Sequence, residues 1–191
     1  VDNFFRGTRA NLNKFINNDR FMFLESDIQR ITANKFGFVF EVPMSAYIIK
    51  PNFRELTYIT SVPAKDVSVV TIKSIEEVYN LAAVVPTKYF YERPDLTYKV
   101  NCESAIRLFD NSIKLKVKKF LNASSSEIYG HNAEDAKETN QQVYDSVDTS
   151  TRWSYAHGKI LTEYYMNYFK EKIHVVHLRY ANCYGERDLD E

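Results

Sequence analysis

The sequence predicts an α/β fold, a parallel sheet with flanking helices, and two observations carry that expectation. Short apolar runs of strand length recur along the chain, each ending in small or polar residues. Helical patterns separate the last three of these runs, and strands that alternate with helices favour parallel pairing with both sheet faces covered.

The runs are 20–25, ending at Asp27; 77–81, ending in Ala82-Ala83; 119–123, ending in Ser124-Ser125-Ser126; and 173–179, ending in Tyr180-Ala181-Asn182. Between them, 94–116 places Tyr98, Val100, Ala105, Leu108, Phe109 and Ile113 at helical spacing and is entered through Pro94. The second helix, 154–172, carries Ile160, Leu161, Tyr164, Tyr165, Tyr168 and Phe169. Segment 29–73 breaks the pattern. It holds β-prone pieces at 38–40, 46–49 and 67–70 and the prolines 43, 51 and 63, with no helical period. A single crossover helix is expected there, so 29–73 reads as an irregular β-prone insertion or a replaced crossover. Ligands of parallel sheets sit beyond the carboxyl ends of the strands, where the four polar endings fall.

Composition limits the possible functions. A chain of 191 residues fits one domain, 1–191, with 45% hydrophobic and 26% charged residues. Lys+Arg and Asp+Glu both number 25, and that balance favours neither nucleic acid nor an acidic membrane surface as partner. Cys102 and Cys183 stand far apart without metal spacing, and His131, His157, His174 and His177 form no HExxH pattern. No metal or disulfide is expected. No apolar run reaches the ~20 residues of a membrane span, and the first residues do not read as a signal peptide. The expected setting is a reducing, cytoplasmic one.

Chemistry points to Tyr155-Ala156-His157-Gly158-Lys159, a YxxxK pattern on the second helix. Four-residue spacing sets both side chains on one helix face. An ammonium beside a phenol favours phenolate, which suits Tyr155 to accept a proton from a substrate hydroxyl. Alone the pattern is weak, because Tyr168 and Lys172 match it too and read as a surface helix. Context separates the first pair. About thirty residues upstream, a strand ends in Ser124-Ser125-Ser126-Glu127-Ile128-Tyr129-Gly130; downstream, another runs into Arg179-Tyr180-Ala181-Asn182-Cys183-Tyr184-Gly185. A hydroxyl at a strand end can bond the same oxygen that Tyr155 deprotonates.

With that order of motifs, the sequence resembles the NAD-dependent epimerase/dehydratase branch of the extended short-chain dehydrogenases, over 1–28 and 75–187. The resemblance implies a Rossmann-like parallel sheet that binds NAD. Val1-Asp2-Asn3-Phe4-Phe5-Arg6-Gly7 is similar to the end of the family's second strand, which would put Asp2, Asn3 and Gly7 at the adenosine ribose. Asp27 and Ile28 match the pair beside adenine, and Leu81, Ala82 and Ala83 the turn under pyrophosphate and ribose. Asn101, Ala123, Ser124 and Tyr180 complete the implied cofactor contacts. Ser125, Tyr155 and Lys159 match the catalytic trio, with Ser125, Ser126 and Asn182 on the substrate. The implied activity is oxidation of a nucleotide sugar to a ketosugar, followed by epimerisation, dehydration or decarboxylation. Glu127 resembles the Glu that assists ring chemistry in UDP-glucuronate decarboxylases and GDP-mannose dehydratases; the alternative is a solvated carboxylate near a strand end.

Departures accompany the likeness. The family opens with a glycine-rich βα turn that cradles pyrophosphate, and five scattered glycines supply none. Set against that family, the fold reads as truncated at both ends, without the first βα unit and the C-terminal substrate lobe. The chain as given is therefore expected to bind NAD weakly and to be inactive by itself. A catalytically inactive family member, serving as a structural or binding subunit of a larger complex, is the alternative. The resemblance also implies a homodimer through 94–116 and 154–172.

Overall fold

The computed structural model describes residues 1, 3, 8–18, 21–35, 37–43, 48–49, 67–72, 75–131 and 133–185. The chain divides into two compact units, 1–75 and 76–191.

In the first unit the described strands are antiparallel. β2 (Thr32–Asn34), β3 (Gly37–Pro43) and β5 (Val67–Ile72) form one sheet in the order β2-β3-β5. Phe38 and Phe40, two residues apart on β3, point to the same face, are buried, and bring their rings to 6.4 Å. The β-prone pieces at 38–40 and 67–70 are therefore strands, and of 46–49 the described residues Ile48 and Ile49 form β4. The run at 20–25 differs from its expectation. Among its described residues only Phe23–Leu24 (β1) is strand, and it pairs antiparallel with β4 instead of entering a parallel ladder. Both residues are buried, so an apolar pair reads alike in either partnership.

The second unit holds the parallel sheet. β6 (Glu77–Asn80), β7 (Lys119–Ser125) and β8 (His174–Tyr180) lie in the order β6-β7-β8, all parallel. Register sets Asn80 opposite Asn122 and Ser125 opposite Tyr180, so the polar endings of β6, β7 and β8 come out at the same end of the sheet. On β7, Phe120, Asn122 and Ser124 alternate inward. The helices are α1 (Lys88–Glu92), α2 (Pro94–Tyr98), α3 (Ala105–Lys114) and α4 (Ser154–Tyr168). Phe109 on α3 meets Phe120 edge-on at 5.1 Å, and both are fully buried. On α4, Ala156, Thr162 and Met166 are fully buried, and Thr162 accepts from Asn122 at 3.4 Å.

The expected helix over 94–116 is present with a change of pitch. A π-helical turn, Lys99–Ser104, joins α2 to α3, and the Ser104 hydroxyl donates to the carbonyl of Lys99, five residues back, at 2.9 Å. The widened turn carries Asn101 inward. Its amide accepts from the Val84 N–H (2.7 Å) and donates to the Val84 carbonyl (3.0 Å), pinning the turn that follows β6. Pro94 starts α2 as expected, and the second helix ends at Tyr168, four residues short of its predicted end. At Gly130, φ is +61° and a Cβ would lie 2.1 Å from the Val143 carbonyl oxygen, so only glycine fits.

Candidate active site

The carboxyl end of β7 gathers the chemistry. Ser124 and Ser125 are buried, and the chain then turns into a short 3₁₀ segment, Ser126–Tyr129. Ser125 caps that segment, its Oγ accepting from the Glu127 N–H at 3.2 Å. Tyr155, the second residue of α4, is 8% exposed and stacks on Phe90 at 4.8 Å. Burial pushes the phenol above its usual range; a hydrogen bond with Ser125 offsets part of this, and the nearby Glu127 carboxylate adds to the rise. The structure thus brings Ser125, Glu127 and Tyr155 together.

Lys159 lies one turn further along α4 and is 2% exposed. Its Nζ donates to the Ala123 carbonyl at 2.6 Å and sits 5.6 Å from the centre of the Tyr155 ring. Burial alone lowers the ammonium to about 8. Lys159 is not among the groups that shift the Tyr155 phenol in this arrangement. Catalytic hydrogen bonds of this kind often tighten only when substrate is bound.

The other predicted residues divide by unit. At the sheet end, Leu81 (65% exposed) opens a ledge continued by the half-buried Ala82 and Ala83; Tyr180 and Asn182 are exposed at the end of β8. Ser126 and Ala123 are half-buried beside the trio. Asn101 bonds Val84 at both amide ends and so shapes the ledge. In the first unit, the Asn3 amide donates to Asp27 at 3.2 Å, and Asp27 also caps Ile28–Arg30 by accepting from Gln29 N–H at 2.8 Å. Asp2 and Gly7 lie outside the described residues.

Two groups escaped sequence reasoning. Arg152 Nη2 donates to Glu127 Oε2 at 2.6 Å, and the only available signal was a cation three residues before Tyr155. Behind the trio, Arg179 forks onto Glu163 (2.8, 3.2 and 3.3 Å). Burial works against the Glu163 carboxylate, but Arg179 outweighs it and holds the group below its usual range. A cleft of about 500 Å³ opens between 138–142 and α4, with Glu163 and Arg179 in its wall. None of Ser125, Tyr155 and Lys159 lines it, so its size does not locate the chemistry.

What remains at the sheet end suits the ribose-nicotinamide half of a dinucleotide. Lys159 carries three donors and has given one to Ala123. The Ser124 hydroxyl is buried beside the Glu163 carboxylate, and the Leu81–Ala83 ledge is open to a flat ligand. Among the described residues no group of His, Cys, Asp or Glu could hold a metal ion, and no helix is long and apolar enough to cross a membrane.

Comparison with known proteins adds relatives to this geometry. Residues 54–191 match the sequence profile of the NAD dependent epimerase/dehydratase family. A UDP-N-acetyl-alpha-D-glucosaminuronate decarboxylase of Bacillus cytotoxicus is 29% identical over 138 residues, covering 68% of this chain and 42% of the relative. Among solved structures, a UDP-N-acetylglucosamine 4-epimerase of Methanobrevibacter ruminantium, in complex with UDP-N-acetylmuramic acid, is 29% identical with a TM-score of 0.53. That match covers 60% of this chain and 36% of the epimerase. A UDP-glucuronic acid 4-epimerase of Bacillus cereus, in complex with UDP-glucuronic acid and NAD, is 25% identical with a TM-score of 0.50, covering 59% of this chain and 35% of the other. The chain therefore spans about two-fifths of the curated relative it matches.

Proposed function

The chain belongs to the NAD dependent epimerase/dehydratase family, and from that premise we propose that it serves the NAD-dependent modification of a nucleotide sugar. The observation that carries this reading is the convergence of Ser125, Tyr155 and Lys159 at the carboxyl end of β7. Bound NAD⁺ supplies the two-electron acceptor. Tyr155 takes the proton of the sugar hydroxyl, and Ser125 steadies that oxygen. Lys159, released from Ala123, holds the nicotinamide ribose and favours the phenolate. Leu81, Ala82, Ala83, Ala123, Ser124 and Tyr180 line the cofactor, and Ser126 and Asn182 face the substrate. Segment 29–73 is an insertion.

Within the family we favour decarboxylation of a nucleotide hexuronate. The Ser-Glu pair at 126–127 and the likeness to a uronate decarboxylase support it. A carboxylate beside the reacting ring can move a proton at the carbon that loses CO₂. Incubation with NAD⁺ and UDP-glucuronate, UDP-N-acetylglucosaminuronate, UDP-glucose or GDP-mannose separates the branches by product mass: loss of CO₂, no change, or loss of water. The expected result is loss of CO₂ from a uronate, with Glu127→Gln about 10²-fold slower or worse. An unchanged mass and a tolerated Glu127→Gln would favour simple epimerisation instead.

We also propose a homodimer through 94–116 and 154–172. On α4, Tyr164 and Tyr168, one turn apart, are 71% and 82% exposed and Leu161 is 46% exposed. Sedimentation should give a dimer that Tyr164→Glu/Tyr168→Glu converts to monomer; a monomeric parent protein refutes the proposal.

A further inference from the structure

We propose that Arg152 is a positioning residue for Glu127, an inference that rests on the reaction proposed above. Glu127 is held from two directions. Its backbone N–H is tied to Ser125 Oγ at 3.2 Å, and its carboxylate receives Arg152 Nη2 at 2.6 Å. Without the second tie, three side-chain torsions would let the carboxylate swing into solvent, away from Ser125 and Tyr155.

Arg152 is itself braced. Its guanidinium carbon lies 5.0 Å from the ring centre of Trp153 and 5.5 Å from that of Phe90. Phe90 also stacks on Tyr155 at 4.8 Å, so one ring supports both the proton acceptor and the clamp on Glu127. The Arg152 backbone N–H is fixed by Ser150 Oγ at 3.1 Å. This is not an exposed ion pair, which would hold little: the two side chains keep only 25% and 30% of their surface. Arg152 Nη1 is turned inward, buried and without a hydrogen-bond partner among the described residues, whereas a solvated arginine would leave that nitrogen in water.

The full chain tests this with Arg152→Gln, Arg152→Lys, Glu127→Gln and the double substitution Arg152→Gln/Glu127→Gln. Arg152→Gln is expected to lower kcat about 10²-fold, the usual cost of misplacing a reacting group by about 1 Å, with KM for the nucleotide sugar little changed. Arg152→Lys restores part of the loss, since an ammonium keeps the charge but not the fork. The double substitution is no slower than Glu127→Gln alone, because both changes remove one unit. Additive losses, or a raised KM at unchanged kcat, would overturn the proposal. A second readout needs no turnover. Trp153 is the only tryptophan of the chain, so its emission and its quenching by acrylamide report on Arg152. Glu127→Gln should shift both; unchanged emission overturns the clamp. If no nucleotide sugar is converted while Trp153 responds to Glu127→Gln, the proposed reaction fails and the clamp stands.

Discussion

Tyr155→Phe is expected to cut turnover about 10²–10⁴-fold, the usual worth of a general base, while leaving the fold and cofactor binding nearly intact. The phenol ring packs on Phe90, and phenylalanine preserves that stacking, so only the hydroxyl is lost. The same change removes the group that Ser125 engages, but Ser125 Oγ keeps its bond from the Glu127 N–H. Comparison of kcat and melting temperature for the two proteins checks the expectation. A variant that melts far below the parent would mean that the hydroxyl holds the fold and not the reaction.

Lys159→Met is expected to move activity and stability in opposite directions. Removing an ammonium that would meet the reacting ribose and phenol should cost on the order of 10²-fold in turnover. Stability should rise at neutral pH. Burial lowers Lys159 to about 8 from a usual 10.5, so below about 8 the folded protein bears the full cost of a buried charge. Between those two values the folded state sheds a proton that the unfolded state retains, and stability climbs with pH. Above 10.5 the two states are equally deprotonated and the dependence ends. The variant lacks this climb and should be more stable than the parent at neutral pH by about 3 kcal/mol, less the lost bond to Ala123. Melting temperatures of both proteins measured from neutral to alkaline pH read this directly. Parallel curves would show that Lys159 is not buried as a charge.

Much of the second unit was legible in its sequence. The strands at 77–80, 119–125 and 174–180 and the helix beginning at Ser154 follow from apolar periodicity and from the small residues that end each run. Tyr155 and Lys159 followed from spacing together with that order, and Ser125 from the family resemblance. The π turn at 99–104 was not legible, since an extra residue in a helical turn hardly disturbs a pattern already loose at Val100 and Cys102. The partner of Phe23–Leu24 was not legible either, because two buried apolar residues carry no orientation. At the site, the engagement of Lys159 by Ala123 joins residues 36 positions apart, and the Arg152–Glu127 pair spans 25. Helix spacing predicts neighbours along one element, and these contacts cross from a helix or its entry turn to a strand end.

The central claim is that Ser125, Tyr155 and Lys159 act together on a nucleotide sugar with NAD⁺. Its most direct test is the near-ultraviolet absorbance of reduced nicotinamide when the protein, NAD⁺ and each nucleotide sugar are mixed in a single turnover. The account predicts that this absorbance appears with at least one uronate and is lost with Tyr155→Phe. Absorbance that appears equally with Tyr155→Phe, or its absence with every sugar while the protein binds both ligands, would contradict it.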